Sequence, residues 1–297
     1  MNSLTLSIAG FRIRLESDGP GPIRLEPGYL PFLVPDEPES SDMVVTVKKG
    51  IPKPFPASDR ILFEARDDRQ NYYSVHKQGD ILGLQVYSQR FAGRIQQTAL
   101  LDLPKKKWLV HYAGDHNDTS VFPLQYPLGP LLFYYLTLTF DALLIHASGI
   151  HDGRAGRLFT GFSGSGKSTM AGLWRQSGSR IINDDRLIIR RESERYVMYN
   201  TPMQYVALPE HGTLDAIHLI RHAPENSLVP LTGARAVAAI MANCIQQGYE
   251  KEHIHRRIDF LTGITARLPV YDTGFIPDPE IVGYILEKEK KQPEKSL

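Results

Sequence analysis

Cysteine is all but missing: Cys244 is the one thiol in 297 residues. An internal disulfide framework is therefore excluded, and a reducing, cytoplasmic setting is expected. Charge of one sign is not in excess either. Thirty-four Lys and Arg stand against 33 Asp and Glu, a formal net charge of +1, so no extended basic footprint exists for nucleic acid or an anionic membrane. No nucleic-acid partner is expected, and a polyanion would have to be held by a local site. Long apolar runs are also lacking. The longest, "LGPLLFYYLTLTF", covers 13 residues, whereas a membrane-spanning helix needs about twenty. It reads as a buried helix, and no membrane partner is expected. The first residues, "MNSLTLSIAGFRIRLES", carry no basic lead and alternate too soon for a signal-peptide core. They read as strand.

From Leu4 to about Val121 the chain is a series of short alternating stretches broken by Pro, Gly and Asp: "FRIRLES", "MVVTVKKG", "RILFEA", "YYSVHKQ", "ILGLQVYS", "RIQQTALLD" and "WLVHYAG". This predicts a β-rich N-terminal region, residues 1–122. It contains no internal repeat and no evident acid/base pair or metal-ligand cluster. "HNDTSVFPLQYPLGP", with its three prolines, is a natural boundary. A second domain is expected over 127–287, followed by a charged, solvated tail at 288–297.

The second domain carries the informative motif. In "RLFTGFSGSGKSTMAGLW" the spacing Gly161-x-x-x-x-Gly166-Lys167-Ser168 fits a phosphate-cradling loop, whose backbone N–H groups converge on a polyphosphate. Arg157 to Thr160 reads as a strand and Ser168 to Ser177 as a helix stopped at Gly178, the setting such a loop requires. Gly161, Ser163, Gly164, Ser165, Gly166, Lys167, Ser168 and Thr169 are the candidate nucleotide-binding residues. Upstream, "ALLIHASGI" reads as a buried strand joined to the loop's strand through the turn Asp152-Gly153-Arg154-Ala155-Gly156. A hairpin centred between residues 153 and 154 places His146 across from Gly161.

Downstream, "SRIIND" reads as a strand closing on Asn183-Asp184-Asp185, with "RLIIRR" as the next. Strand ends in open α/β sheets meet the ligand, so both carboxylates are expected at the phosphate end. Phosphoryl transfer asks for a cradle, a lysine on the outer phosphates, Mg²⁺ on a hydroxyl and a carboxylate, and a group that orients the acceptor. Lys167 supplies the lysine and Ser168 the hydroxyl. One of Asp184 or Asp185 supplies the metal carboxylate, leaving the other as general base toward an alcohol, with His146 placed to orient it. An Asp-Asp pair after a strand also suits a plain turn or helix cap; its place beside the loop argues for function. Arg186, Arg221, Arg235 and Arg267 are candidates to stabilise the transferring phosphoryl group. His253 and His255, two apart, do not make a zinc site. A guanine-specifying Asn-Lys-x-Asp stretch is absent, which excludes a GTPase-type switch. A nucleotide-sensing module without turnover, or a kinase of small-molecule hydroxyls, is the alternative reading.

"LLIHASGI", "GRLFTGFSGSGKSTMAGLW" and "SRIINDDRLIIRR", in that order, resemble the core of the HPr kinase/phosphorylase family, which shares its fold with ATP-dependent phosphoenolpyruvate carboxykinases. "HAPENSLVPLTGARAV" and "LPVYDTGFIPDPEIV" are similar to divergent HPr kinase-like proteins, some found with peptide-modification systems. The resemblance spans roughly residues 140 to 285. It implies an α/β fold, a mixed sheet of the phosphoenolpyruvate carboxykinase/HPr kinase type built around the phosphate loop. It further implies ATP and Mg²⁺, Asp184 as base toward a serine hydroxyl of a protein or peptide, Asp185 with Ser168 on the metal, and His146 supporting Asp184. Family members are often oligomeric, so a homo-oligomer is implied as well. The Glu-containing, glycine-rich motif of the bifunctional enzymes is missing, and "VMYNTPMQYVALPEHG" stands in its place. The resemblance therefore does not extend to HPr as acceptor or to the reverse, phosphorylase reaction.

Overall fold

The computed structural model describes residues 2–17, 19, 21–37, 40–88, 91, 93–112, 122–245 and 250–291. Part of the proline-rich boundary stretch (113–121) and the end of the charged tail (292–297) lie outside the described residues. The chain divides into two compact units. The first comprises Met1–Phe140, Pro202–Pro209 and Gln246–Lys251, and the second Asp141–Thr201, Glu210–Ile245 and Glu252–Leu297.

In the first unit the alternating stretches form β1 (Asn2–Ile8), β2 (Phe11–Ser17), β3 (Leu33–Val34), β4 (Met43–Lys49), β5 (Arg60–Arg66), β6 (Asn71–Gln78), β7 (Ile81–Tyr87), β8 (Ile95–Asp102) and β9 (Lys107–Tyr112). They make one nine-stranded mixed sheet in the order β3-β1-β2-β4-β9-β8-β7-β6-β5. The two-residue period puts Phe11, Ile13 and Leu15 of β2, and Met43, Val45 and Val47 of β4, in the core. Helix α1 (Leu128–Thr139) is the apolar run seen in the sequence, and ten of its residues are buried, as an all-apolar helix must be. It belongs to this first unit, so the division falls after Phe140 rather than near residue 127. The cause is aromatic packing: Phe140 lies 4.5 Å from Phe11, and Phe133 lies 6.0 Å from Tyr29, centroid to centroid.

The second unit holds β10 (Ala142–His151), β11 (Gly156–Thr160), α2 (Lys167–Gln176), β12 (Arg180–Glu192), β13 (Arg195–Asn200), β14 (His211–Thr213), β15 (Ala216–His222), β16 (Ser227–Leu231), α3 (Gly233–Met241), α4 (Lys251–Arg267), β17 (Val270–Phe275) and α5 (Glu280–Lys290). Its eight-stranded sheet runs β14-β13-β12-β10-β11-β15-β17-β16. Strands β11, β15 and β17 are parallel, and their neighbours pair antiparallel. Helices cover both faces. Leu143, Ile145, Leu158, Leu187 and Ile217 pack with α3 and α4 residues such as Ile240, Phe260 and Leu261. Phe159, Ile220 and Phe275 pack with Met170 and Trp174 of α2 and Ile281 and Ile285 of α5. This is a three-layer α/β arrangement. Because α5 continues to Lys290, residues 288–290 are helical, with Lys288 and Lys290 exposed as a charged tail would have them. Among the described residues no helix is long and apolar enough to cross a membrane.

A buried ionic group ties β11, β15 and α5 together. Arg157, 4% exposed, donates from Nε and Nη2 to Glu289 and from Nη1 to Asp152 at 2.6–3.1 Å, and it lies 4.9 Å over the Trp174 ring. His218, fully buried between Phe159 and Tyr271, bridges Thr273 Oγ1 and Glu289 Oε1 at 3.0 Å each. Burial pushes the His218 imidazole below its ordinary range despite the carboxylate beside it. Burial works against the charge of Glu289 as well, but hydrogen bonds from His218 and Arg157 outweigh it and hold that carboxyl low. Both shifts have the same consequence. The unfolded chain binds more protons than the folded one as pH falls through their ordinary ranges, so stability is held at neutral pH and lost in acid. Between pH 6.5 and 5.5 the His218 contribution is expected to fall by up to about 1 kcal/mol. Urea midpoints at the two pH values measure the loss, and His218→Asn should shrink it; an unchanged loss would assign it to other groups.

Candidate active site

The loop that follows β11 is shaped by close approach. A Cβ on Gly161 would stand 2.6 Å from both the Ile220 carbonyl oxygen and Ser165 Oγ, so only glycine lets the chain leave the strand there. Gly166 caps α2 in a left-handed conformation, φ +92. A Cβ there would meet the buried Phe275 ring at 2.6 Å. Gly166→Ala is therefore expected to cost about 1–3 kcal/mol of stability, through backbone strain and overpacking. A lower urea midpoint would register it, and an unchanged one would mean the loop tolerates a Cβ.

Helix α2 starts without a side-chain cap and without an acidic residue in its first turn. Its leading N–H groups are thus left for an anion, at the positive end of the helix dipole. Lys167 is buried, and its Nζ donates to the Gly161 and Phe162 carbonyls at 2.9 and 3.2 Å. Burial pushes its ammonium below the ordinary lysine range, with Asp184 and Asp185 opposing. Ser163, Gly164, Ser168 and Thr169 are exposed. Ser165 Oγ is buried with no hydrogen-bond partner. A loop with open N–H groups at the start of α2, a spare buried hydroxyl and a cation folded onto its own carbonyls has the donors a polyphosphate needs; Ser165 N is taken, donating to the Phe162 carbonyl at 3.0 Å. At its far end α2 closes as expected, Gly178 having φ +87 and Ser179 N donating to the Trp174 carbonyl at 3.0 Å.

Beside the loop the hairpin register is the expected one. Ala147 pairs with Thr160, which brings His146 level with Gly161. The aspartates are placed differently. The chain does not turn at Asn183-Asp184-Asp185; β12 runs unbroken through them for 13 residues. Continuous pairing with β10 holds it, and a bulge at Gly149/Ile150 takes up the irregularity. Bulges locally re-aim side chains. Opposite pairs across β12, β10 and β11 run Asp184, Ser148, Phe159 and then Asp185, Ala147, Thr160. The carboxylates are therefore level with the last two residues of β11, two strands across, roughly 10 Å at ordinary strand spacing.

Neighbouring strand residues point apart, and the two carboxylates have different partners. Asp184 accepts a hydrogen bond from Ser148 Oγ on its Oδ1. Asp185 lies 3.4 Å from His146 Nε2 and 4.0 Å from Arg186 Nε. The expected support of Asp184 by His146 is thus replaced: Ser148 holds Asp184, and His146 faces Asp185. The half-exposed His146 imidazole is pushed down by burial first and by the Lys167 cation second, with Asp185 opposing. Of the four candidate arginines, Arg186 pairs opposite His146 on the ladder. Arg221 is engaged by Asp272 and Arg267 by Glu194, at 3.1 and 2.8 Å. Among the described residues no three His, Cys, Asp or Glu side chains gather to hold a metal on their own.

Two residues that the sequence does not single out for this site stand at it. Ser148 is one, and its signal was its place two residues past His146 on the same strand. The other is His222, which packs against Gly166; no spacing rule connects it to the loop.

No protein-family model matches the chain, and no curated protein matches it. Among solved structures, the Hpr(Ser) kinase/phosphatase from Coxiella burnetii is similar over 50% of this chain and 95% of its own, with 10% identity and a TM-score of 0.31. That is a distant, fold-level likeness, and no activity rests on it.

Proposed function

We propose that the second unit is an ATP-dependent phosphotransferase of the HPr kinase-like kind, moving the γ-phosphoryl group to a serine hydroxyl of a protein or peptide in the cytoplasm. The observation that carries this reading is the convergence at one sheet end: the loop with Lys167 closes β11, and Asp184 and Asp185 stand level with its last residues. The amides of the loop and of the first turn of α2, Ser165 N excepted because it donates to the Phe162 carbonyl, take the phosphate oxygens, and Lys167 swings from the loop carbonyls onto the outer phosphates. Ser168 and Asp185 would hold Mg²⁺, two protein oxygens being the sparse set that ion takes beside phosphates and water. The metal would neutralise charge on the β- and γ-oxygens.

Ser148 occupies Oδ1 of Asp184 and leaves Oδ2 for the acceptor. Asp184 takes the hydroxyl proton as the acceptor oxygen bonds to the γ-phosphorus, the bond to the bridging oxygen breaks, and ADP leaves. His146 fixes Asp185, and Arg186 adds positive charge on the same rung. Incubation with γ-labelled ATP, Mg²⁺ and a lysate, followed by mass spectrometry of the labelled products, tests the acceptor class. Phosphoserine in a peptide or protein is the expected result. Label found only on small molecules would move the acceptor class, and no label with ATP bound would favour a sensing module.

A further inference from the structure

Phosphate transfer, on the reading above, needs the γ end of the nucleotide toward β10 and β12, where Asp184 and Asp185 lie. The nucleoside must then leave the loop on its other flank, across the carboxyl ends of β15 and β17, which run parallel to β11. Those ends carry a built surface. His222, the last residue of β15, and Phe275, the last of β17, stack with centroids 5.1 Å apart and planes 28° apart. Phe275 is fully buried, whereas His222 is exposed. Both touch the start of α2: a Cβ on Gly166 would lie 2.6 Å from Phe275 Cζ and 3.1 Å from His222 Cε1.

The flanking backbone is pinned. Ala223 N donates to the Phe275 carbonyl at 3.1 Å, and Ile276 N to Asn226 Oδ1 at 2.8 Å. The His222 ring nitrogens have no hydrogen-bond partner among the described residues. An exposed, flat, polarisable ring backed by a buried aromatic, against the last glycine of a phosphate loop, has the shape and chemistry that a heteroaromatic base stacks upon.

We infer that His222, seated on Phe275, is the shelf for the nucleobase. This rests on the phosphate-loop reading, and the two are separable by calorimetric titration with ATP and with inorganic tripolyphosphate. For His222→Ala, ATP binding should weaken roughly tenfold, as loss of one base–aromatic stack implies, while tripolyphosphate binding stays unchanged. His222→Phe should restore the ATP affinity. Unchanged ATP binding by His222→Ala would overturn the proposal. An equal loss for both ligands would overturn it too, by making His222 a phosphate contact. If the parent protein bound neither ligand, the phosphate-loop reading itself would fall and the shelf with it.

Discussion

Lys167→Ala is expected to weaken ATP binding by about two orders of magnitude. Truncating one partner of a buried, hydrogen-bonded charge pair costs about 2–5 kcal/mol, and each 1.4 kcal/mol is tenfold. The fold should survive. Among the described residues Lys167 Nζ donates to the Gly161 and Phe162 carbonyls, and burial already opposes its charge, so its loss removes a partly desolvated cation together with two modest hydrogen bonds. Circular dichroism and a urea midpoint within about 1 kcal/mol of the parent, alongside the lost affinity, would place the effect at the ligand. ATP bound as tightly as by the parent would end the phosphate-loop account.

Asp184→Asn should separate chemistry from binding. The amide keeps the shape and still accepts from Ser148 through its carbonyl oxygen, but it cannot take a proton. General-base catalysis contributes about 10²–10⁴ in rate, so turnover is expected to fall by about three orders of magnitude. ATP affinity should move only a few-fold, because the loop and Lys167 are untouched. Turnover retained in full would remove Asp184 from the base role and turn attention to Asp185, which has His146 beside it.

Much of this architecture was legible from local pattern. The alternating stretches became strands β1, β2 and β4 to β9, most plainly β2 and β4, whose period of two buries one face. The hairpin's short turn gave the His146 level correctly, since antiparallel partners share a constant sum and Ala147 meets Thr160. Helix α2 was bounded by its own glycines, Gly166 and Gly178, both at positive φ. What local pattern missed depends on distant partners. Asn183-Asp184-Asp185 looks like a break by propensity, yet pairing with β10 carries β12 straight through it, a case of tertiary context overriding local preference. The bulge at Gly149/Ile150 and the Ser148–Asp184 contact follow from that pairing. His222 reaches the loop because β15 runs parallel beside β11, and its stacking partner is Phe275 on β17, the next strand over and far along the chain. Helix α1 joined the first unit through rings on Phe11 and Tyr29, partners too distant in the chain for local hydrophobicity to name.

The central claim is transfer of the γ-phosphoryl group with Asp184 as base. Its most direct test is the amount of label moved from γ-labelled ATP to acid-stable product, with Mg²⁺, by the parent protein and by Asp184→Asn at equal, saturating ATP. Label accumulating with the parent and falling by about three orders of magnitude with the variant is the predicted result. Equal labelling by the two proteins, or none by a parent that binds ATP, would contradict it.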